Sequence, residues 1–305
     1  MIKVTDIAYA RFGAPDLDEM ERFLVDFGLV PVHRDDERLY ARGTDPSPYL
    51  HVTVRGPAGF RGLAFEAASE ADLVLASGLE GASGLEKLDG PGGGCCVRFV
   101  DPDGIAVEIV HGRELLPELP VRSAAPLNRG SDRARVGRLQ RVEAGPACVK
   151  RLGHAGLMVR DFRQSEEWYK GRFGFLTSDE IFLGDPEQVV AAFMRCDRGV
   201  THVDHHSLVC VAPPGVEPGL DHISFEVEDW DAVMLGHDHL RAAGYEHKMG
   251  VGRHFLGSQV YDYWKDPWGN VLEHFTDGDL LDASFEAKSH EPGVALGTQW
   301  GKMAP

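Results

Sequence analysis

Two histidines and a glutamate are the residues of this sequence whose types and spacing most directly suggest chemistry. A nine-residue stretch occurs twice, as Val100-Asp-Pro-Asp-Gly-Ile-Ala-Val-Glu108 and as Lys265-Asp-Pro-Trp-Gly-Asn-Val-Leu-Glu273, at an offset of 165 residues. Upstream, Gly62-Leu-Ala-Phe-Glu-Ala67 aligns with His222-Ile-Ser-Phe-Glu-Val227, and Ile7-Ala-Tyr-Ala10 followed by Asp16 aligns with Leu152-Gly-His-Ala155 followed by Asp161. In this repeat His154 pairs with Tyr9, His222 with Gly62 and Glu273 with Glu108, so the first copy keeps the carboxylate and lacks both imidazoles. A metal site of this kind can exist only once. Two imidazoles and one carboxylate on one face suit non-haem Fe(II), with positions left for a substrate and O2. The net charge of such a site favours an oxyanion such as a deprotonated phenol, and the absence of thiolates argues against structural zinc. A single strand histidine is more often a core residue than a ligand; the asymmetry of the repeat is what raises these three above that reading.

The elements that must position these residues follow from the same repeat. Each half divides again, because the strand at His154 opens one segment and the strand at His222 opens another, giving four modules that read β-α-β-β-β. Asp16 and Asp161 start helices, the second expected to have an acidic first turn before Trp168, Tyr169 and Phe173. His222, Ser224 and Glu226 alternate with Ile223, Phe225 and Val227, as in a half-buried strand. The expected fold is therefore α+β, with helices outside mostly antiparallel curved sheets. Residues 1–112 form a first pair of modules without a metal site, 113–147 a Pro- and Arg-rich linker with room for one short helix, 148–282 the catalytic pair, and 283–305 a tail apolar enough to pack. Asp101-Pro102 and Asp266-Pro267 read as turns before a final strand.

Composition narrows the partners. The chain has 305 residues, 43% of them hydrophobic, and no apolar run near the ~18 residues that cross a bilayer. A net charge of −17 repels nucleic acid and anionic membrane surfaces and leaves a small molecule as the expected partner. Five cysteines without a C-x-x-C pair, and an N-terminus without signal-peptide character, point to a reducing cytoplasmic protein. Of 14 histidines, only His33, His51 and His111 precede residue 150, so imidazole chemistry belongs to the second half.

The stretch Gly252-Arg-His254-Phe-Leu-Gly-Ser-Gln-Val-Tyr-Asp-Tyr263-Trp-Lys-Asp266-Pro267-Trp-Gly269-Asn-Val-Leu-Glu273 resembles the signature of the type I extradiol ring-cleaving dioxygenases of the vicinal oxygen chelate superfamily. It has their order of a His, a Tyr, Asp-Pro-x-Gly and a ligand Glu. One position departs: the residue before the Tyr is normally apolar and here is Asp262. The run Gly-Ser-Gln-Val-Tyr-Asp-Tyr-Trp resembles the branch with trihydroxytoluene oxygenase-like enzymes. The resemblance implies two tandem half-barrel domains, with His154, His222 and Glu273 as Fe(II) ligands and Mn(II) as the alternative metal. It implies that His254 and Tyr263 orient the catechol and help deprotonate it, and that His206 is the acid/base facing O2. His205, the other member of the His205-His206 pair, is the weaker candidate for that role, with a solvent-exposed strand start as its alternative reading. The implied reaction cleaves a catechol next to its hydroxyls with both atoms of O2, and family members form homo-oligomers. His202, His237, His239, His247 and His274 read as surface or packing residues.

Two rivals share the fold. A glyoxalase-type isomerase or metal-dependent transferase would use zinc, nickel or manganese and lack the His254/Tyr263 pair. A drug-sequestering binding protein would not need His154, His222 and Glu273 together.

Overall fold

The computed structural model describes residues 1–295 and 297–301. The first half runs β1 (Val4–Ala14), α1 (Leu17–Phe27), β2 (Val30–Arg34), β3 (Arg38–Arg42) and β4 (His51–Arg55), then β5 (Gly59–Ala67), α2 (Glu70–Ala76), β6 (Glu86–Lys87), β7 (Cys95–Val100) and β8 (Ala106–His111). The second half runs β9 (Val149–Met158), α3 (Phe162–Phe173), β10 (Phe175–Phe182), β11 (Val189–Cys196), β12 (Val203–Asp204) and β13 (Leu208–Val211), then β14 (Gly219–Val227), α4 (Trp230–Ala243), β15 (His247–His254), β16 (Val260–Lys265) and β17 (Val271–Thr276). Apart from the two-residue β12, each quarter of the chain is the expected βαβββ unit. After them come β18 (Leu280–Leu281), β19 (Lys288–His290), α5 (Pro292–Ala295) and β20 (Thr298–Gly301).

The opening strands of paired modules lie side by side and antiparallel, β1 against β5 and β9 against β14. Each opening strand also pairs in parallel with the last strand of its own module, as β14 does with β17. The result is an eight-stranded sheet in the first half and a ten-stranded sheet, ordered β19-β10-β11-β13-β9-β14-β17-β16-β15-β20, in the second. Alternation does the rest: Ile223, Phe225 and Val227 are fully buried in the core, which turns His222 and Ser224 to the other face.

Aspartates start the helices as the sequence suggests. Asp16 accepts the backbone N–H groups of Asp18 and Glu19, and Asp161 accepts that of Gln164. The first turn after Asp161 has no acidic residue, so the cap alone supplies the negative end there. Gly28, Gly174 and Gly244 close α1, α3 and α4 in the left-handed region. Asp101 and Asp266 are turn residues, each accepting two N–H groups of its own loop. The stretch 113–147 contains one isolated bridge, Asn128 to Arg133, and no helix, not even the short one it had room for. Its prolines and closely spaced arginines offer no apolar face to dock, and a lone helix gains little without one.

Candidate metal centre

Three neighbouring strands bring the predicted ligands together. The register pairs His154 of β9 with Ser224 of β14, Ser224 with Glu273 of β17, and Glu273 with Tyr263 of β16, so these four residues form one row across the sheet. His222 lies two residues before Ser224 on the same face. His154 Nε2 is 3.2 Å from His222 Nε2 and 3.2 Å from Glu273 Oε2, and His222 Nε2 is 3.6 Å from that oxygen. Gly156 makes room for this: a Cβ there would stand 2.8 Å from His222 Nδ1.

The donor set fits a divalent cation. Glu273 is fully buried, yet neither of its carboxylate oxygens accepts a hydrogen bond, and one ligand atom from each of His154, His222 and Glu273 lies within 4.8 Å of the others. A buried carboxylate without hydrogen bonds is costly unless charge compensates it, and the imidazoles set around this one leave a point between them suited to a cation. Burial works to raise the Glu273 pKa, but the imidazoles of His154, His254 and His222 outweigh it and hold the carboxyl well below its usual range. His222 donates from Nδ1 to Asp221 Oδ2 at 2.7 Å, which leaves Nε2 with its lone pair toward His154 and Glu273. Burial works against a charged His222, and the Asp221 and Glu273 carboxylates more than offset it. Burial pushes His154 the other way, below its usual value, despite Glu273.

The predicted acid/base residues surround the same point. His254 Nε2 is 2.9 Å from the Tyr263 hydroxyl and 3.6 Å from Glu273 Oε1, and its ring stacks on Tyr261. Burial, reinforced by Glu273, raises the Tyr263 pKa well above that of a free phenol and keeps the hydroxyl protonated. The His206 ring centroid is 4.1 Å from that of His154. Burial and the neighbouring imidazoles of His154 and His205 hold the His206 pKa well below normal. These side chains open on a cavity of about 320 Å³ whose other walls include Ile181, Ala191, Phe193, Val209, Val211 and Leu256.

The structure differs from the sequence reading at several residues. His205 is not at the solvent but 3% exposed. Its Nε2 donates to Asp179 Oδ2 at 2.7 Å, and its Nδ1 is 3.0 Å from His206 Nδ1. His290, from the tail, reaches the other Asp179 oxygen at 2.8 Å. Sequence reasoning passed over Asp179, Asp221 and His290. Asp221 had a signal, as a carboxylate directly before a ligand histidine; Asp179 and His290 are brought in only by the pairing of β10 with β19. His202 is exposed and His239 meets Asp26, while His274 is packed against Phe27. His237 and His247 instead converge on Asp262.

In the first half the corresponding carboxylate is occupied by the protein itself. Glu108 accepts from the Tyr9 hydroxyl at 2.6 Å and from Arg11 and Arg98 at 2.7 and 2.9 Å. Among the described residues, both His/Asp/Glu clusters able to hold a cation lie in the second half.

Known proteins resemble the chain over its whole length. It is 29% identical to metapyrocatechase 2 of Cupriavidus necator, over 99% of this chain and 90% of that protein. It is 24% identical to an iron-dependent extradiol dioxygenase of Rhodococcus jostii, over 98% of this chain and 97% of that one. The structure of a Mn(II)-bound glyoxalase from Novosphingobium aromaticivorans superposes with a TM-score of 0.79 at 25% identity, covering 100% of this chain and 94% of that one. Residues 151–274, which contain all six predicted site residues, match the model of the Glyoxalase/Bleomycin resistance protein/Dioxygenase superfamily, and the relatives that the chain resembles over its whole length include extradiol dioxygenases.

Proposed function

We propose that the protein is an Fe(II)-dependent extradiol dioxygenase that opens a catechol ring next to its hydroxyls, with His154, His222 and Glu273 holding the iron. The observation that carries this reading is the buried Glu273 carboxylate, which accepts no hydrogen bond and is met by the imidazoles of His154 and His222, two residues that line a largely apolar cavity. The N,N,O donor set suits iron, and a relative is named iron-dependent; Mn(II) is the second reading of the metal, favoured by the Mn(II)-bound structural neighbour. Bound there, Fe(II) supplies Lewis acidity and one-electron chemistry toward a catecholate and O2.

The chain's own groups handle the substrate and the protons. Tyr263 and His254, hydrogen-bonded to each other, present a hydroxyl and an imidazole to the catechol oxygens. His205 donates from Nε2 to Asp179, so its Nδ1 accepts the Nδ1–H of His206 and leaves His206 Nε2 free as a base. When His206 takes a proton at Nε2, its Nδ1 proton can move to His205, whose charge Asp179 balances. His290, side chain 20% exposed, joins this chain of groups to the surface. The cavity walls are mostly aliphatic and aromatic, with Lys248, Asp221 and Gln259 among them, and favour a catechol whose substituent is mainly apolar.

The test is anaerobic reconstitution with Fe(II), followed by alkyl- and aryl-catechols and O2. One O2 consumed per ring opened, with a yellow product, is expected; iron-loaded protein that takes up no O2 with any catechol overturns the proposal and favours the isomerase or binding rivals. His206→Ala should keep its iron and lose turnover, whereas Glu273→Ala should lose the iron.

A further inference from the structure

The one departure of this sequence from the dioxygenase signature, Asp262, lies at the centre of a second donor cluster. Asp262 and Tyr263 are successive residues of β16, so their side chains take opposite faces of the sheet. Tyr263 faces the cavity, and Asp262 faces α4 with no exposed surface. His237 of α4 places Nδ1 at 3.2 and 3.1 Å from the two Asp262 oxygens, and His247, the first residue of β15, places Nε2 at 2.8 Å from Oδ1. The two imidazole rings are nearly perpendicular, 88° with centroids 5.0 Å apart. The Trp264 indole donates to Asp262 Oδ2 at 2.6 Å.

From this geometry we infer a second cation site, in which His237 Nδ1, His247 Nε2 and an Asp262 carboxylate oxygen bind a zinc-class divalent ion. Metal bonds of about 2.0–2.1 Å at tetrahedral angles put ligand atoms roughly 3.3 Å apart, close to the nitrogen–oxygen separations here. One ligand atom from each of the three residues already lies within 4.8 Å of the others. The Trp264 N–H bond to the carboxylate is the kind of outer contact that orients a metal-binding carboxylate. The side chains of His237 and His247 are 16% and 26% exposed, which gives an ion a route in and leaves a position for water. A carboxylate in a fully buried strand position is strongly unfavourable unless something compensates it, and this chain supplies two imidazoles from two different elements at that one point. The ion would tie α4 to β15 and β16, directly behind Tyr263.

The site is separate from the iron centre, and its test separates the two. Full-length protein is equilibrated with Zn2+, passed over a desalting column and its metal content measured. Wild type should retain two equivalents per chain, Glu273→Ala one, His237→Gln or His247→Gln one, and Glu273→Ala combined with His247→Gln none. Co2+ should quench the Trp264 part of the fluorescence in wild type and in Glu273→Ala, and not in His247→Gln. If the iron centre alone failed, wild type would hold a single equivalent that His247→Gln still removes. Unchanged metal content and unchanged quenching in both His237→Gln and His247→Gln would overturn the inference and leave the cluster as hydrogen bonds only. The two half-buried histidines are used because Asp262→Asn, at a core position, can fail by misfolding.

Discussion

Asp221 lies outside the proposed ligand set but in contact with it. By accepting the Nδ1–H of His222 at 2.7 Å it selects the tautomer whose Nε2 can bind metal, and its charge strengthens that nitrogen as a donor. Asp221→Asn should therefore weaken Fe(II) binding by about 10- to 100-fold, as read by competition with a chelator, with the fold unchanged by circular dichroism. Unaltered affinity would mean that the strand alone fixes the ring. The comparison with Glu108 makes the same point from the other half. An equivalent glutamate, surrounded by Tyr9, Arg11 and Arg98, is neutralised by protein groups and has nothing left to offer an ion.

At the scale of elements, the tail does more than pack. Its two strands cover both edges of the ten-stranded sheet: β19 pairs with β10, and β20 pairs with β15, the strand that ends at His254. Arg195, 1% exposed, pins its start through the carbonyls of Asp282 and Phe285. Gln299 then donates to the His254 carbonyl, and Trp300 lies against Trp230. The tail thus pairs with two strands that supply cavity-lining residues, Ile181 from β10 and Lys248, Met249 and His254 from β15. Ending the chain after Asp282 should uncover two strand edges and remove His290 from Asp179. The expected result is self-association in size-exclusion chromatography and a lower denaturation midpoint. A truncated protein that stays monodisperse with its midpoint unchanged would contradict this role.

At the scale of the whole molecule, the two sheets are joined by core contacts as well as by the 113–147 segment. Phe27, at the end of α1 in the first half, stacks on His274 at 3.9 Å and meets Phe225 edge-on, while its carbonyl accepts the His274 Nε2–H at 2.7 Å. Gly28 has to be glycine, because a Cβ there would collide with the Ala147 carbonyl oxygen at 1.6 Å. Phe27→Ala should destabilise the protein by about 3–5 kcal/mol in denaturant titration, since it opens a cavity between the halves and the site lies one residue from His274. It should also loosen metal binding in the second half, although Phe27 belongs to the first.

Much of this could be read along the chain, because duplication writes the fold twice and substitution at equivalent positions marks where chemistry was kept. His154, His222 and Glu273 stand out against Tyr9, Gly62 and Glu108 by position alone, and strand alternation assigns His222 to the face away from Ile223 and Phe225. What sequence could not decide is what depends on contacts between distant segments. Sequence left open whether His205 is exposed at a strand start, and it is buried against Asp179, which the tail's His290 also meets. Asp262 looked like an isolated departure until α4 and β15 brought His237 and His247 to it. Residue types and their spacing determined the donor set and the module pattern; only tertiary pairing decided which carboxylates are paired, which imidazoles are neutral and which stand ready for an ion, since burial and neighbouring charge set these and neither is local in sequence.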